Sequence, residues 1–378
     1  MTTRCRCPTA THQTIQAGVD AASPNEQVLV CNGIYREQVT IAGPTKNGVD
    51  VLSQVIRGAT IKAPATPLPE PRALVHIDNA SGAKIRRFII SGPGSGTVDS
   101  LRSGVLVENN ADPGEKPAQV LTNLIQDIRD TEAAANENGD GVRVGRDFAG
   151  TVGRATVNGN EIVRYQKSGV TVDGNGSFAL VSNNTIRGLG LVTSPVTPVP
   201  AQQGIQIGRN AAADVNTNRI SDNLYSGDTG DPTTQPTSFG ILVFSTDRLT
   251  PTGARSRFKG NTVFNNDFGI ILSDARNQLL ETNKVNSNGD PNTAAGDGGI
   301  GVFETGAGLG GGNILKSNDA RNNAGLDCED GTRGSGTAGT GNTWTGNRGE
   351  NDAPTAICAP SAPPAPPAPP APQVGSAN

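Results

Sequence analysis

The chain is poor in aromatic residues, which fill 3% of its 378 positions, and it holds two His, one Met and one Trp. Leu is scarce as well. Only 20 Leu stand against 51 Val plus Ile, a balance that favours strands and excludes a helical bundle or coiled coil. No apolar run approaches the roughly 18 residues of a spanning helix, so no membrane span is expected. Charged residues make up 17% of the chain, 31 basic against 35 acidic and evenly spread, which leaves no nucleic-acid footprint. The five cysteines lack metal-type spacing, and with only His12 and His76 to join them they are not expected to hold zinc. No charged-then-apolar leader precedes Cys5, so any export signal is expected to have been removed or replaced by Met1.

What the chain does contain is Gly, 49 in all, and Asn, 34 in all but only 4 in the first hundred residues. Both recur in register. A Gly followed by alternating apolar residues appears as Gly104-Val-Leu-Val, Gly141-Val-Arg-Val, Gly169-Val-Thr-Val and Gly204-Ile-Gln-Ile. It returns at Gly240, Gly269, Gly299 and Gly325, each time reading as a short strand whose first and third residues after Gly face one way. Between these strands lies a second signature, Asn-x-apolar, at Asn123, Asn160, Asn184, Asn218, Asn261, Asn283 and, less cleanly, Asn318. The shortest unit is about 22 residues, with insertions confined to particular turns, as a solenoid allows. An antiparallel sandwich would need Asn-Gly-type turns at every strand junction, and these do not recur.

A unit of this length, with short strands and an Asn at one bend, resembles one coil of a right-handed parallel β-helix, the pectin lyase-like type of many secreted bacterial proteins. The resemblance covers roughly residues 25 to 345 and rests on the repeat. It implies an all-β solenoid whose coils bury Val and Ile on one another, with Asn taking the left-handed bend and bonding the equivalent Asn one coil away. Residues 1–24 are expected to cap the first coil with a helix over Thr14–Ala22, residues 25–358 to form the β-helix, and residues 359–378 to be a Pro/Ala-rich disordered tail. Cys31 would pair with Cys5 or Cys7, and Cys328 with Cys358, implying an oxidising, extracellular or cell-surface setting. A monomer is favoured, since the outward Leu106, Leu242 and Ile271 are too few for a trimeric spike.

In this fold type the sheet led by the glycines usually forms a polysaccharide groove. Its outward row would be Leu106, Arg143, Thr171, Gln206, Leu242, Ile271, Gly301 and Asp327, followed two residues on by Glu108, Gly145, Asp173, Gly208, Phe244, Ser273, Phe303 and Glu329. Arg143, Arg146 and Arg209 would clamp uronate carboxylates or serve as the base of a lyase or epimerase. Glu108, Asp173, Gln206 and Tyr165 would contact sugar, Tyr165 and Tyr225 by stacking. Calcium is a candidate cofactor, at Asp173 or in the alternating Asn286, Asn288, Asp290 and Asn292, or Asp228 with Asp231. The Gly-His-Gly and Asn-Thr-Asp motifs of polygalacturonases are absent, as is the paired Tyr and His of alginate epimerases, which disfavours those routes. Two classes stay open: an enzyme on acidic polysaccharide, and a non-catalytic surface or binding protein built on the same scaffold. The charged residues also fit plain solvated groups or a salt-bridge ladder between coils.

Overall fold

The computed structural model describes residues 10–95, 99–110, 114, 116–130, 138–190, 201–225, 237–289, 298–306 and 308–358. Among these residues the chain winds through three parallel sheets of eleven, nine and eleven strands, visited in rotation until the last two turns, which add no strand to the nine-stranded sheet. Each strand pairs with the strand one coil before and one coil after it, always parallel and in register, as Val105, Val142, Val170 and Ile205 do. This is the right-handed parallel β-helix that the repeat implies. We call the sheets A, B and C, in the order in which each coil meets them.

The coils are held from inside by columns of like residues. On sheet B, Ile90, Ile125, Ile162, Ile186 and Ile220 stack one above another with no exposure. At about 25 cal/mol per Å² of apolar area, every such position adds stabilisation that depends only on its two neighbours. The leading glycines of sheet C form a column too. A Cβ at Gly141 would lie 2.4 Å from Ile162 Cγ2 and 2.6 Å from the Gly169 carbonyl oxygen, so close approach, not backbone conformation, demands glycine there.

The Asn repeat is a buried ladder at the corner between sheets A and B. The side-chain Nδ2 of Asn123 donates to Oδ1 of Asn160, Asn160 to Asn184, Asn184 to Asn218, and so on through Asn261, Asn283 and Asn318 to Asn347. Each Oδ1 also accepts the backbone N–H of the Asn one coil before, satisfying a group the corner would otherwise strand. One expectation needs correcting. The left-handed bend falls on the residue before the ladder Asn, at Thr122, Asn183, Thr217, Thr282 and Ser317, so the Asn is selected for its amide alone. A second ladder, Asn223–Asn266–Asn288–Asn323, lines the corner between sheets B and C.

Helix Ile15–Ala21 lies across the first coil and buries Ile15, Gly18 and Val19. Thr14 caps it by accepting the Ala17 N–H, while the Glu37 carboxylate takes the N–H groups of Ile15 and Gln16. At the far end Cys328 is bonded to Cys358, and the Trp344 indole donates to the buried Asp330. Cys31 is disulfide-bonded, while its expected partners Cys5 and Cys7, like the Pro/Ala-rich tail, lie outside the described residues. The coil of Cys328–Asp330, next to last on this sheet, also departs from expectation. Gly301 pairs with Glu329, and Asp327, not Gly325, follows Gly299 in the glycine column.

Candidate functional site

The outward face of sheet C divides into a charged half and an apolar half. Strand register builds the charged half. Leu106 pairs with Arg143 and Arg143 with Thr171, while Asp78 pairs with Glu108 two residues further along. The turn after Asp140–Val144 folds back over the sheet through a single 3-10 turn, Asp147–Ala149, and carries Arg146 and Phe148 onto this face. Both guanidinium groups then lie near the Phe148 ring, Arg143 at 5.5 Å and Arg146 at 5.8 Å from its centroid.

The structure brings the three expected arginines together, but with their charges already taken. Arg143 donates to Asp140 at 2.8 Å and to Asp173 at 2.6 Å. Arg146 forks onto both oxygens of Glu108 at 2.9 and 2.8 Å, and Arg209 reaches Asp173 at 2.8 Å. Burial alone would make the Arg143 guanidinium easier to deprotonate, but Asp140 and Asp173 overrule it and push its pKa up. Arg143 so held keeps its proton and has its fork occupied, which corrects its expected role as a base, whereas Arg209 is half-exposed and bonded to Asp173 through Nη1 alone. With Lys167 beside Asp140, and Asp78 and Asp147 included, four cations face five carboxylates, so this half carries no excess of positive charge.

Glu108 and Asp173 are correspondingly sealed, at 2% and 1% exposure, so neither offers a sugar contact and Asp173 offers no open site for calcium. Burial would raise the Glu108 carboxyl, but hydrogen bonds from His76, Thr151 and Arg146 hold it down at about 2. Tyr165 is also corrected. It is fully buried among the inward side chains with its hydroxyl on Asn223 Oδ1, because the bend at Arg164 turns it into the core. Asn288 is a ladder member and not a calcium ligand; Asp290, Asn292, Asp228 and Asp231 lie outside the described residues. Tyr225 is half-buried, its backbone N–H on Asp267. Gln206 stands half-buried in the outward row between Thr171 and Leu242.

Sequence reasoning passed over two features of this face. The first is His76, whose Nε2 lies 2.9 Å from Glu108 Oε1. Its strand, Ala73–Asp78, has the same alternation as the others but no leading Gly, and that alternation was the available signal. The second is the glycine seat under each ring of the apolar half, whose outward Leu242, Phe244, Ile271 and Phe303 the alternation does place. In register along one column stand Gly208, Phe244, Ser273 and Phe303. A Cβ at Gly208 would lie 2.2 Å from Phe244 Cε1, and one at Gly301 would lie 2.6 Å from Phe303 Cε2, so each ring lies over a glycine. Both rings are partly exposed, with Leu242 and Ile271 beside them and the Arg209 guanidinium 5.5 Å from the Phe244 centroid. Glu329 stands in the neighbouring column between Gly301 and Ala353, and burial raises its carboxyl above the usual range.

No protein-family model matches the chain, and no curated protein matches it in sequence. Solved structures do match in fold. The A-module of the mannuronan C-5 epimerase AlgE4 of Azotobacter vinelandii aligns with a TM-score of 0.53 at 13% identity, over 89% of this chain and 87% of that one. The Dettilon tailspike protein aligns with a TM-score of 0.50 at 15% identity, over 85% of this chain and 59% of the tailspike. Identities this low carry fold alone, and with the three parallel sheets and the Asn ladders they establish the fold of the chain as a right-handed parallel β-helix.

Proposed function

We propose that the protein is an exported binding protein that holds a polysaccharide along the outward face of sheet C. The observation that carries this reading is the pair of half-exposed rings, Phe244 and Phe303, each lying over a glycine and separated by one coil. Two coil spacings put them about 10 Å apart along the axis, on the scale of a disaccharide. Partly exposed aromatic faces on a rigid sheet suit the apolar faces of sugar rings, while Gln206 and the half-exposed Arg209 supply hydrogen bonds to hydroxyls. The mannuronan C-5 epimerase likeness supports a glycan-handling surface in this fold. The cystines suit an oxidising compartment.

The charge count alters the expected ligand. Because the arginines are neutralised by carboxylates, neutral glycans fit this face better than uronates, and lyase or epimerase chemistry with an arginine base has no free group to perform it. Calorimetric titration with xylan and cellulose oligosaccharides, alginate and polygalacturonate tests this directly. A neutral glycan is expected to bind more tightly than either uronate polymer, with Phe303→Ala weakening it by about tenfold, the scale of a lost aromatic contact. Binding that favours uronates, with release of an unsaturated ultraviolet-absorbing product, would contradict the reading.

A further inference from the structure

We propose that His76, Asp78 and Glu108 form a binding site for a divalent transition-metal ion, zinc or manganese in kind, at the N-terminal end of the sheet C face. This is independent of the glycan reading and lies at the opposite end of the face from Phe244 and Phe303. One ligand atom from each residue falls within 4.8 Å of the other two. The fold itself produces the grouping. His76 and Asp78 are two residues apart on one strand and so share a face, and Glu108 is the register partner of Asp78 on the next strand.

The donor set selects the class of ion. One imidazole nitrogen with two carboxylates suits zinc or manganese, leaving further positions for water, whereas calcium requires six to eight oxygens. His76 is held in place, 8% exposed, with Nε2 already aimed at Glu108 Oε1. Asp78 is half-buried, and its Oδ1 accepts from the exposed Asn109 amide, so this carboxylate can turn toward the pair. On binding, the Nε2–H···Oε1 hydrogen bond is replaced by one bond from each atom to the cation, and the Nε2 proton passes to solvent. Arg146 Nε and the Thr151 hydroxyl keep their hold on Oε2 and fix the carboxylate during the exchange, while Arg146 Nη2, which also donates to Oε1, shares that oxygen with the cation or turns away from it.

The chain has only two His, which makes the test narrow. Zinc chloride, manganese chloride and calcium chloride are titrated separately into the full chain by calorimetry. One equivalent of zinc is expected to bind, undisturbed by excess calcium and unchanged in His12→Gln. Affinity should fall about tenfold or more in His76→Gln and in Asp78→Asn. Asp78 is half-buried at the edge of the core, so Asp78→Asn keeps the test decisive if His76→Gln does not fold. Absence of a zinc-binding event, zinc binding that survives both substitutions, or calcium binding as tight as zinc would each overturn the proposal.

Discussion

Asn218→Ala is expected to destabilise the protein by roughly 3–5 kcal/mol, as is loss of any fully bonded rung of the ladder. Its Oδ1 accepts both the backbone N–H and the Nδ2 of Asn184, and its Nδ2 donates to the Val181 carbonyl and to Asn261 Oδ1. Asn218 is 2% exposed, so water does not replace what is lost. Several buried polar groups are stranded at once, each costing about 1–3 kcal/mol, with some relaxation of the corner. The half-buried Asn216, two residues earlier, makes no such bonds, and Asn216→Ala should stay within about 0.5 kcal/mol. Chemical denaturation of the three proteins measures both numbers. Equal, small effects would mean that the ladder decorates a core held by Val and Ile alone.

Arg143→Ala is expected to cost about 3–5 kcal/mol of stability, because it leaves Asp140 and Asp173 buried, adjacent and without their shared cation. Arg209→Ala removes a half-exposed partner of the same Asp173 and should cost within about 1 kcal/mol. This contrast separates the two meanings an arginine on this face could have. A catalytic base can be removed with the fold intact and only turnover lost. A ladder cation cannot, since the desolvation of its carboxylates has already been offset by its charge. Denaturation midpoints of the two variants, read beside that of the unaltered protein, decide between them.

The pH response of the face follows from Glu108 and Glu329 and runs in opposite directions. Glu108 titrates at about 2 in the folded protein, below its ordinary 4.5, so the stability it contributes is complete above 4.5 and lost as pH falls toward 2. Glu329 is raised above 4.5, so its stabilising balance is full below 4.5 and is lost as pH rises from there through its folded value.

The fold was legible because a solenoid writes its contacts at one period. The glycine column and the Asn ladder each need the same residue in every coil, so both stand out in a single sequence, insertions notwithstanding. The left-handed position was misplaced because Thr, Asn, Gly and Ser share it, and no one residue type marks it. The charged row was placed on sheet C and a salt-bridge ladder was among its readings, yet which carboxylate each arginine takes was not legible. Whether Arg143 faces solvent or Asp140 and Asp173 depends on a turn that folds Phe148 back over it, and that turn does not repeat. Tyr165 failed for a related reason, since a residue just past a bend can be turned inward by one backbone angle. His76 and the seats under Phe244 and Phe303 were missed because each arises from two neighbouring coils read together.

Hydroxyl-radical footprinting of the full chain, with and without saturating xylan oligosaccharide, tests the glycan-binding face most directly. Phe178 on sheet A and Phe264 on sheet B are partly exposed rings on the other two faces and serve as internal references. Oxidation of Phe244 and Phe303 is expected to fall on binding while Phe178 and Phe264 stay unchanged. Protection of Phe178 or Phe264 with Phe303 unaffected would place the ligand elsewhere and contradict the assignment of sheet C.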